Sequence, residues 1–206
     1  MTPLRVLGRT SSINVRKVLW TLDELGLEYV REDWGAGFAS TRDPGFLTLN
    51  PNALVPVLID GHGPLWESNA ICRHLAAGTP LFPDDRRQRA LVDQWMDWQA
   101  TELNAAWRYA FGGLVRKFPG FDDPRQIEAS VAAWNAAMGV LDARLAATGA
   151  YVAGDTFTLA DVVLGLSIHR WLGSPIPRET RPAIAAYFAR LKTRPPFAAW
   201  SLPDVP

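Results

Sequence analysis

Hydrophobic positions in the first eighty residues change their period several times, and each change marks a new element. Leu4 to Leu7 is a short apolar run ending at Gly8, the pattern of a buried strand. Asn14 to Leu25 follows the helical period. Val15, Val18, Leu19, Leu22 and Leu25 fall on one side, with Arg16, Asp23 and Glu24 off it, and Gly26 closes the helix. Glu28 to Glu32 reads as a second strand, and Pro44 to Leu49 as a short helix begun by Asp43 or Thr41. Val55 to Ile59 and Pro64 to Trp66 flank the turn Asp60-Gly61-His62-Gly63 as an antiparallel hairpin. Ser68 then takes the N-cap of a helix over Asn69 to Ala77, ended by Gly78.

The order β-α-β-α-β-β-α combines a crossover, which demands parallel pairing, with a hairpin that adds an antiparallel edge. That is the layout of a thioredoxin-like α/β domain. Strand signals then stop at the Pro- and charge-bearing segment GTPLFPDDRR. The expected organisation is a thioredoxin-like domain over residues 1–79, a linker over 80–86 and an all-α helical bundle over 87–206. Within the bundle, Arg87 to about Phe118 predicts a long helix kinked near Gly112-Gly113. Pro124 to Ala147 predicts a second, capped by Asp122 or Asp123, and Thr158 opens a third. Arg181 to Thr193 predicts a fourth, stopped by Pro195-Pro196.

Composition narrows the function classes. The 21 basic and 21 acidic side chains cancel, so no basic field argues for a nucleic acid partner. Cys72 is the only cysteine, which leaves no disulfide framework and no thiolate cluster. His62, His74 and His169 are scattered without ligand spacing, so no metal is expected. The N-terminal MTPLRVLGRT has no apolar core of a signal peptide, and no apolar run approaches the ~20 residues of a membrane span. A cytoplasmic protein without membrane contact is the expectation.

Four segments carry candidate chemistry or architecture. Thr10-Ser11-Ser12 stands between the first strand and the first helix, with Arg16 four positions after Ser12. Such hydroxyls either cap the helix or serve a ligand at its N-terminus. Asn50-Pro51-Asn52 is followed by Leu54-Val55-Pro56-Val57, and Trp66-Glu67-Ser68-Asn69-Ala70-Ile71 joins the hairpin to the next helix. In the second half, Gly154-Asp155-Thr156-Phe157-Thr158-Leu159-Ala160-Asp161 places Thr158 and Asp161 at capping-box spacing, with Phe157 and Val162 as a hydrophobic staple.

In this order and spacing the four segments resemble the cytosolic glutathione transferases, in particular the serine-type enzymes, over nearly the whole chain. The resemblance implies that glutathione is a co-substrate rather than a prosthetic group, and that its thiolate attacks an electrophilic carbon, a peroxide or a disulfide. Ser12 is then the thiol-activating residue, with Ser11 and Thr10 as neighbours that a slipped register would substitute. A hydrogen bond to the thiolate plus a helix end suffices to lower a thiol pKa by about two units, roughly 2.7 kcal/mol. Val55, before a cis Pro56, pairs with the cysteinyl amide, and Glu67 and Ser68 hold the γ-glutamyl zwitterion. Arg42 is the candidate for the glycine carboxylate. Leu54 departs from the polar residue many relatives carry there. The acceptor pocket would be walled by Trp107, Phe111, Arg108 and Trp171, although aromatic residues at helical spacing also serve as core. A homodimer is implied. Two other readings stay open: a non-catalytic scaffold on the same fold, and a glutathione-dependent disulfide reductase using Thr10 or Asn14.

Overall fold

The computed structural model describes residues 3–203. Four strands, β1 (Leu4–Leu7), β2 (Tyr29–Glu32), β3 (Val57–Asp60) and β4 (Gly63–Trp66), form one mixed sheet in the order β2-β1-β3-β4. The β1–β2 pair is parallel, and β1–β3 and β3–β4 are antiparallel. Helix α1 (Ile13–Glu24) makes the crossover, α2 (Pro44–Leu49) lies between β2 and β3, and α3 (Ser68–Ala76) follows the hairpin. This is the thioredoxin-like layout read from the sequence.

The remainder is helical: α4 (Arg86–Trp98), α5 (Asn104–Phe111), α6 (Pro124–Thr148), α7 (Leu159–Gly173), α8 (Pro182–Leu191) and α9 (Pro195–Trp200). Two expectations need correction here. The long helix expected to kink at Gly112-Gly113 is instead broken twice by π-helical turns, at Gln99–Leu103 and Gly112–Arg116, and ends at Lys117 with φ +53°. The two glycines are there for close approach. A Cβ on Gly113 would lie 2.0 Å from the carbonyl oxygen of Phe121, and one on Gly112 2.6 Å from the Phe121 ring. The second correction is at the C-terminus, where Pro195 and Pro196 start α9 rather than merely stopping α8, as proline in a first helical turn allows.

Helix α1 is the shared wall of the two halves, packing on α3 on one side and on α7 and α9 on the other. Trp20 is fully buried there against Phe157 (5.7 Å between centroids) and Phe197 (4.8 Å). Polar clasps fix the same seam. Arg194 makes a two-pronged pair with Glu24 (2.9 and 2.6 Å), and the Trp200 indole N–H donates to Asp23 (2.6 Å). Between α3 and α4, Arg73 reaches both Asp93 (2.6 Å) and Asp97 (2.5 Å).

Helix α7 is apolar almost all round and begins at the capping box expected from the sequence. Asp161 is fully buried. One of its oxygens accepts from the Val152 N–H (2.9 Å) and the Tyr187 hydroxyl (2.8 Å); the other accepts from the Thr158 N–H (2.8 Å). Asp161→Asn would turn one acceptor into a donor facing donors. That change should destabilise the fold by about 2–4 kcal/mol, read as a drop of roughly 5–15 °C in Tm by calorimetry or circular dichroism.

Candidate functional site

The sheet register brings the sequence-picked segments to one end of the molecule. Leu7, at the end of β1, pairs with Glu32 at the end of β2 and with Val57 at the start of β3; Val57 in turn pairs with Trp66 at the end of β4. The chain leaving β1 (Gly8 to Ser12), the loop after β2 that carries Arg42, the Val55-Pro56 entry to β3 and the Glu67-Ser68 exit from β4 therefore stand side by side. Gly8 makes the close approach possible: its φ is +152°, and a Cβ there would lie 2.4 Å from Val15 and 3.1 Å from Val55.

Each segment has its own local cause. Ser12 occupies the N-cap of α1 with extended backbone, and its carbonyl accepts from the Arg16 N–H (3.0 Å). Its hydroxyl makes no capping hydrogen bond, so the helix does not use it. Ser11 turns its carbonyl to the Arg116 guanidinium (3.0 Å), and neither Thr10 nor Ser11 lines the adjoining cavity, whereas Ser12 and Asn14 do. The Val55–Pro56 bond is cis, and Asn50 braces the preceding loop by donating to the Leu54 carbonyl (2.8 Å). Leu54 itself points to solvent. Glu67 is the N-cap of α3, at φ +73°, and Ser68 is the first helical residue. The expectation of Ser68 as N-cap is thus one residue off. A non-glycine residue held at positive φ stores strain of the kind that clusters at ligand sites. Glu67 presents its carboxylate to solvent while Ser68 is buried beneath it.

A cavity of about 560 Å³ opens between the start of α1 and the α5 region, with Ser12 on its edge. Trp107 and Phe111 meet edge to face (5.3 Å) on its wall, and Arg108 also lines it. Trp171 does not join them. It is buried on α7 with its indole N–H on Asn135 (2.9 Å), and borders a separate groove beside α8. Arg42 is exposed and lines a shallow pocket of its own loop, apart from the cavity. Sequence reasoning missed Arg9, Asn104, Arg116 and Arg170 in the cavity lining. Of these, Arg170 had a signal: a cation deep in the apolar run LADVVLGLSIHRWL is out of place unless something needs it.

A family model described as the glutathione S-transferase N-terminal domain matches residues 2–77, and one for the C-terminal domain matches 124–190. Over 193 residues the chain is 38% identical to glutathione S-transferase GstB of Escherichia coli K12, covering 91% of this chain and 92% of that protein. The chain belongs to the glutathione S-transferase family. Among solved structures, the theta class glutathione S-transferase of the citrus canker pathogen Xanthomonas axonopodis pv. citri, with glutathione bound, superposes with a TM-score of 0.90 at 38% identity over 98% of both chains. The transferase is also 30% identical over 167 residues to elongation factor 1-gamma 2 of Oryza sativa, matching 77% of this chain but 38% of that one.

Beneath the site of this transferase, Lys17 on α1 is buried between the halves. Its ammonium donates to Gln99 Oε1 (2.7 Å), in the first π-helical turn, and to Asn69 Oδ1 (3.3 Å), in the first turn of α3. Gln99 passes the order on to Asn104 (3.0 Å), which also accepts from the Trp107 indole N–H (3.0 Å). Burial pushes Lys17 down from 10.5 to about 8. Above pH 8 the folded chain therefore holds fewer protons on this group than the unfolded chain does, until both have lost them near 10.5. Its contribution to stability rises with pH across that window. The gain in unfolding free energy between about pH 7.5 and pH 10, from urea titrations, should be larger in the parent than in Lys17→Met by on the order of 2 kcal/mol.

Proposed function

We propose that this transferase binds glutathione along the end of the sheet, with the γ-glutamyl group at Glu67-Ser68, the cysteinyl backbone at Val55-Pro56 and the sulfur at Ser12. The observation that carries the reading is the uncommitted Ser12 hydroxyl at the N-terminus of α1, on the rim of an aromatic cavity. An α1 N-terminus supplies unpaired N–H groups and partial positive charge, and the hydroxyl supplies a donor for a thiolate. Arg116, held against the same loop at the Ser11 carbonyl, adds a positive field beside it. Together these favour the ionised sulfur, which is the nucleophile.

In the conjugation reaction the thiol loses its proton to solvent as it binds. The sulfur lone pair then forms an S–C bond while the bond to the leaving group breaks, the leaving group departing with its electron pair. Ser12 holds the sulfur, and Trp107 and Phe111 wall the acceptor. The Ser12 geometry favours transferase chemistry over a scaffold, since a scaffold has no use for a free hydroxyl and a positive-φ glutamate at the same sheet edge. Arg42 remains the proposed partner of the glycine carboxylate. A homodimer in the cytoplasm goes with the family resemblance, and among the described residues no helix is long and apolar enough to cross a membrane.

Glutathione should quench Trp66 fluorescence saturably, because that residue is partly exposed next to Glu67. The absence of saturable binding at millimolar glutathione would end the reading. Ser12→Ala should lower kcat with an aryl halide about 100-fold, the loss expected from two units of thiol pKa, with a much smaller change in the glutathione KM. Glu67→Gln should show the opposite split, with KM for glutathione raised about tenfold.

A further inference from the structure

The cavity beside Ser12 carries four arginines, Arg9, Arg108, Arg116 and Arg170, and among the described residues no acidic side chain lines it. None of the four takes part in an ion pair among the described residues. Arg170 is the telling one. It is 4% exposed, its guanidinium lies over the faces of Trp107 (4.6 Å) and Phe111 (4.1 Å), and among the described residues its buried Nε has no partner and no carboxylate or carbonyl receives its hydrogen bonds. Arg9 Nε is likewise buried and unpartnered. Arg116 spends one nitrogen on the Ser11 carbonyl and lies 5.2 Å from the Phe111 ring centre. Buried cations are ordinarily paired, and a cluster of like charges in one cavity is destabilising until an anion enters. Aromatic faces offset only part of that penalty.

We propose that the acceptor pocket is built for an anionic electrophile, a flat apolar molecule bearing a carboxylate that Arg170 and Arg116 hold while its reactive carbon faces Ser12. This rests on the glutathione reading above, in which the two carboxylates of glutathione lie elsewhere: Ser68, Val55 and Arg42 do not line this cavity. The planar guanidinium fork suits a carboxylate in two-pronged contact, and the rings of Trp107 and Phe111 fit a flat body. Burial and the neighbouring Arg16 and Arg116 hold the Arg170 pKa below its usual value, in keeping with a cation that lacks its counter-ion.

The probe pair is 4-chloro-3-nitrobenzoate and its methyl ester, which differ by one charge at nearly constant shape. In both, the glutathione sulfur forms a bond to the ring carbon that bears chlorine, the C–Cl bond breaks and chloride leaves with the electron pair. The acid should be preferred over the ester in kcat/KM by about tenfold or more, and salt should erode that preference. Arg170→Met should bring the acid-to-ester ratio to about 1. Arg116→Gln, closer to the rim, should lower it several-fold and serves if Arg170→Met fails to fold by circular dichroism. Unreactive 3-nitrobenzoate, added without glutathione, should quench Trp107 fluorescence in the parent and bind at least several-fold more weakly to either variant. An ester turned over as well as the acid, a ratio unmoved in both variants, or 3-nitrobenzoate competing with glutathione would each overturn the proposal. Binding of 3-nitrobenzoate with no turnover of either probe would support the anion site and count against the transferase reading instead.

Discussion

The Lys17 ammonium is the point through which the two halves of the molecule are set against each other. It leaves α1, the wall they share, and is held by one amide oxygen from each side: Asn69 at the start of α3 and Gln99 in the π-helical turn after α4. Neither partner is charged, so the usual compensation for burying an ammonium is absent and the group loses part of its affinity for the proton. What the arrangement supplies is direction. An ammonium offers three hydrogens, and the two amides that accept two of them can do so only where α3 and the π turn sit at the observed distance from α1. Gln99 then fixes Asn104, and Asn104 fixes the Trp107 ring, so a residue of the first half sets the orientation of a cavity wall in the second.

The rest of the site follows from sheet register. A parallel β1–β2 pair and an antiparallel β1–β3–β4 run bring the ends of β1, β2 and β4 and the start of β3 to a single edge, where loops need not continue any ladder. Loops so placed are held by a rigid scaffold yet keep their side chains free for a ligand. Gly8 lets the β1 exit pass against Val55, and the positive φ of Glu67 turns that residue outward while Ser68 goes under it. Backbone strain at one residue and a missing Cβ at another are thus part of the same edge.

Much of this was legible from the sequence, because the signals are local. The change from period 2 to period 3.6, the hairpin turn, the Thr158–Asp161 box and the proline-limited helix starts depend on neighbours a few residues apart. Ser12, Val55-Pro56 and Glu67-Ser68 stand out instead through the order and spacing in which they resemble the glutathione transferases, since each hydroxyl taken alone is as well explained by helix capping. The errors lie where a distant contact decides. Gly112 and Gly113 read as a kink, yet Phe121 requires them, and the π turn they sit in rotates the following residues onto a different face. A π turn inserts a residue without leaving a pattern of its own, so Arg116 could not be placed with Trp107 and Phe111 by counting in threes and fours. Trp171 failed in the opposite sense: it is adjacent in sequence to Arg170, and on a helix adjacent residues face apart, so one lines the cavity and the other does not.

The arginines make the balance between stability and function visible. Arg16, the arginine of the serine motif, is fully buried, with one nitrogen on the Trp200 carbonyl (3.1 Å) and two others unpartnered, and its pKa is lowered to about 10 by burial first and by Arg116 second. Arg170 is buried close enough to Arg16 for the charge on Arg16 to disfavour its own. A sequence selected for stability alone would replace such groups by apolar side chains of similar volume, which buried-charge replacements show to be neutral or favourable. Acids stand on the helices of Arg16 and Arg170 and are spent elsewhere, Glu24 of α1 on Arg194 and Asp161 on the α7 cap, while Asp93 and Asp97 of α4 go to Arg73. The chain therefore has the means to pair its cations and, among the described residues, leaves those around the cavity without an ion pair. That selective omission, set against careful pairing elsewhere on α1, α4 and α7, separates a pocket awaiting an anion from a core that merely tolerates charge.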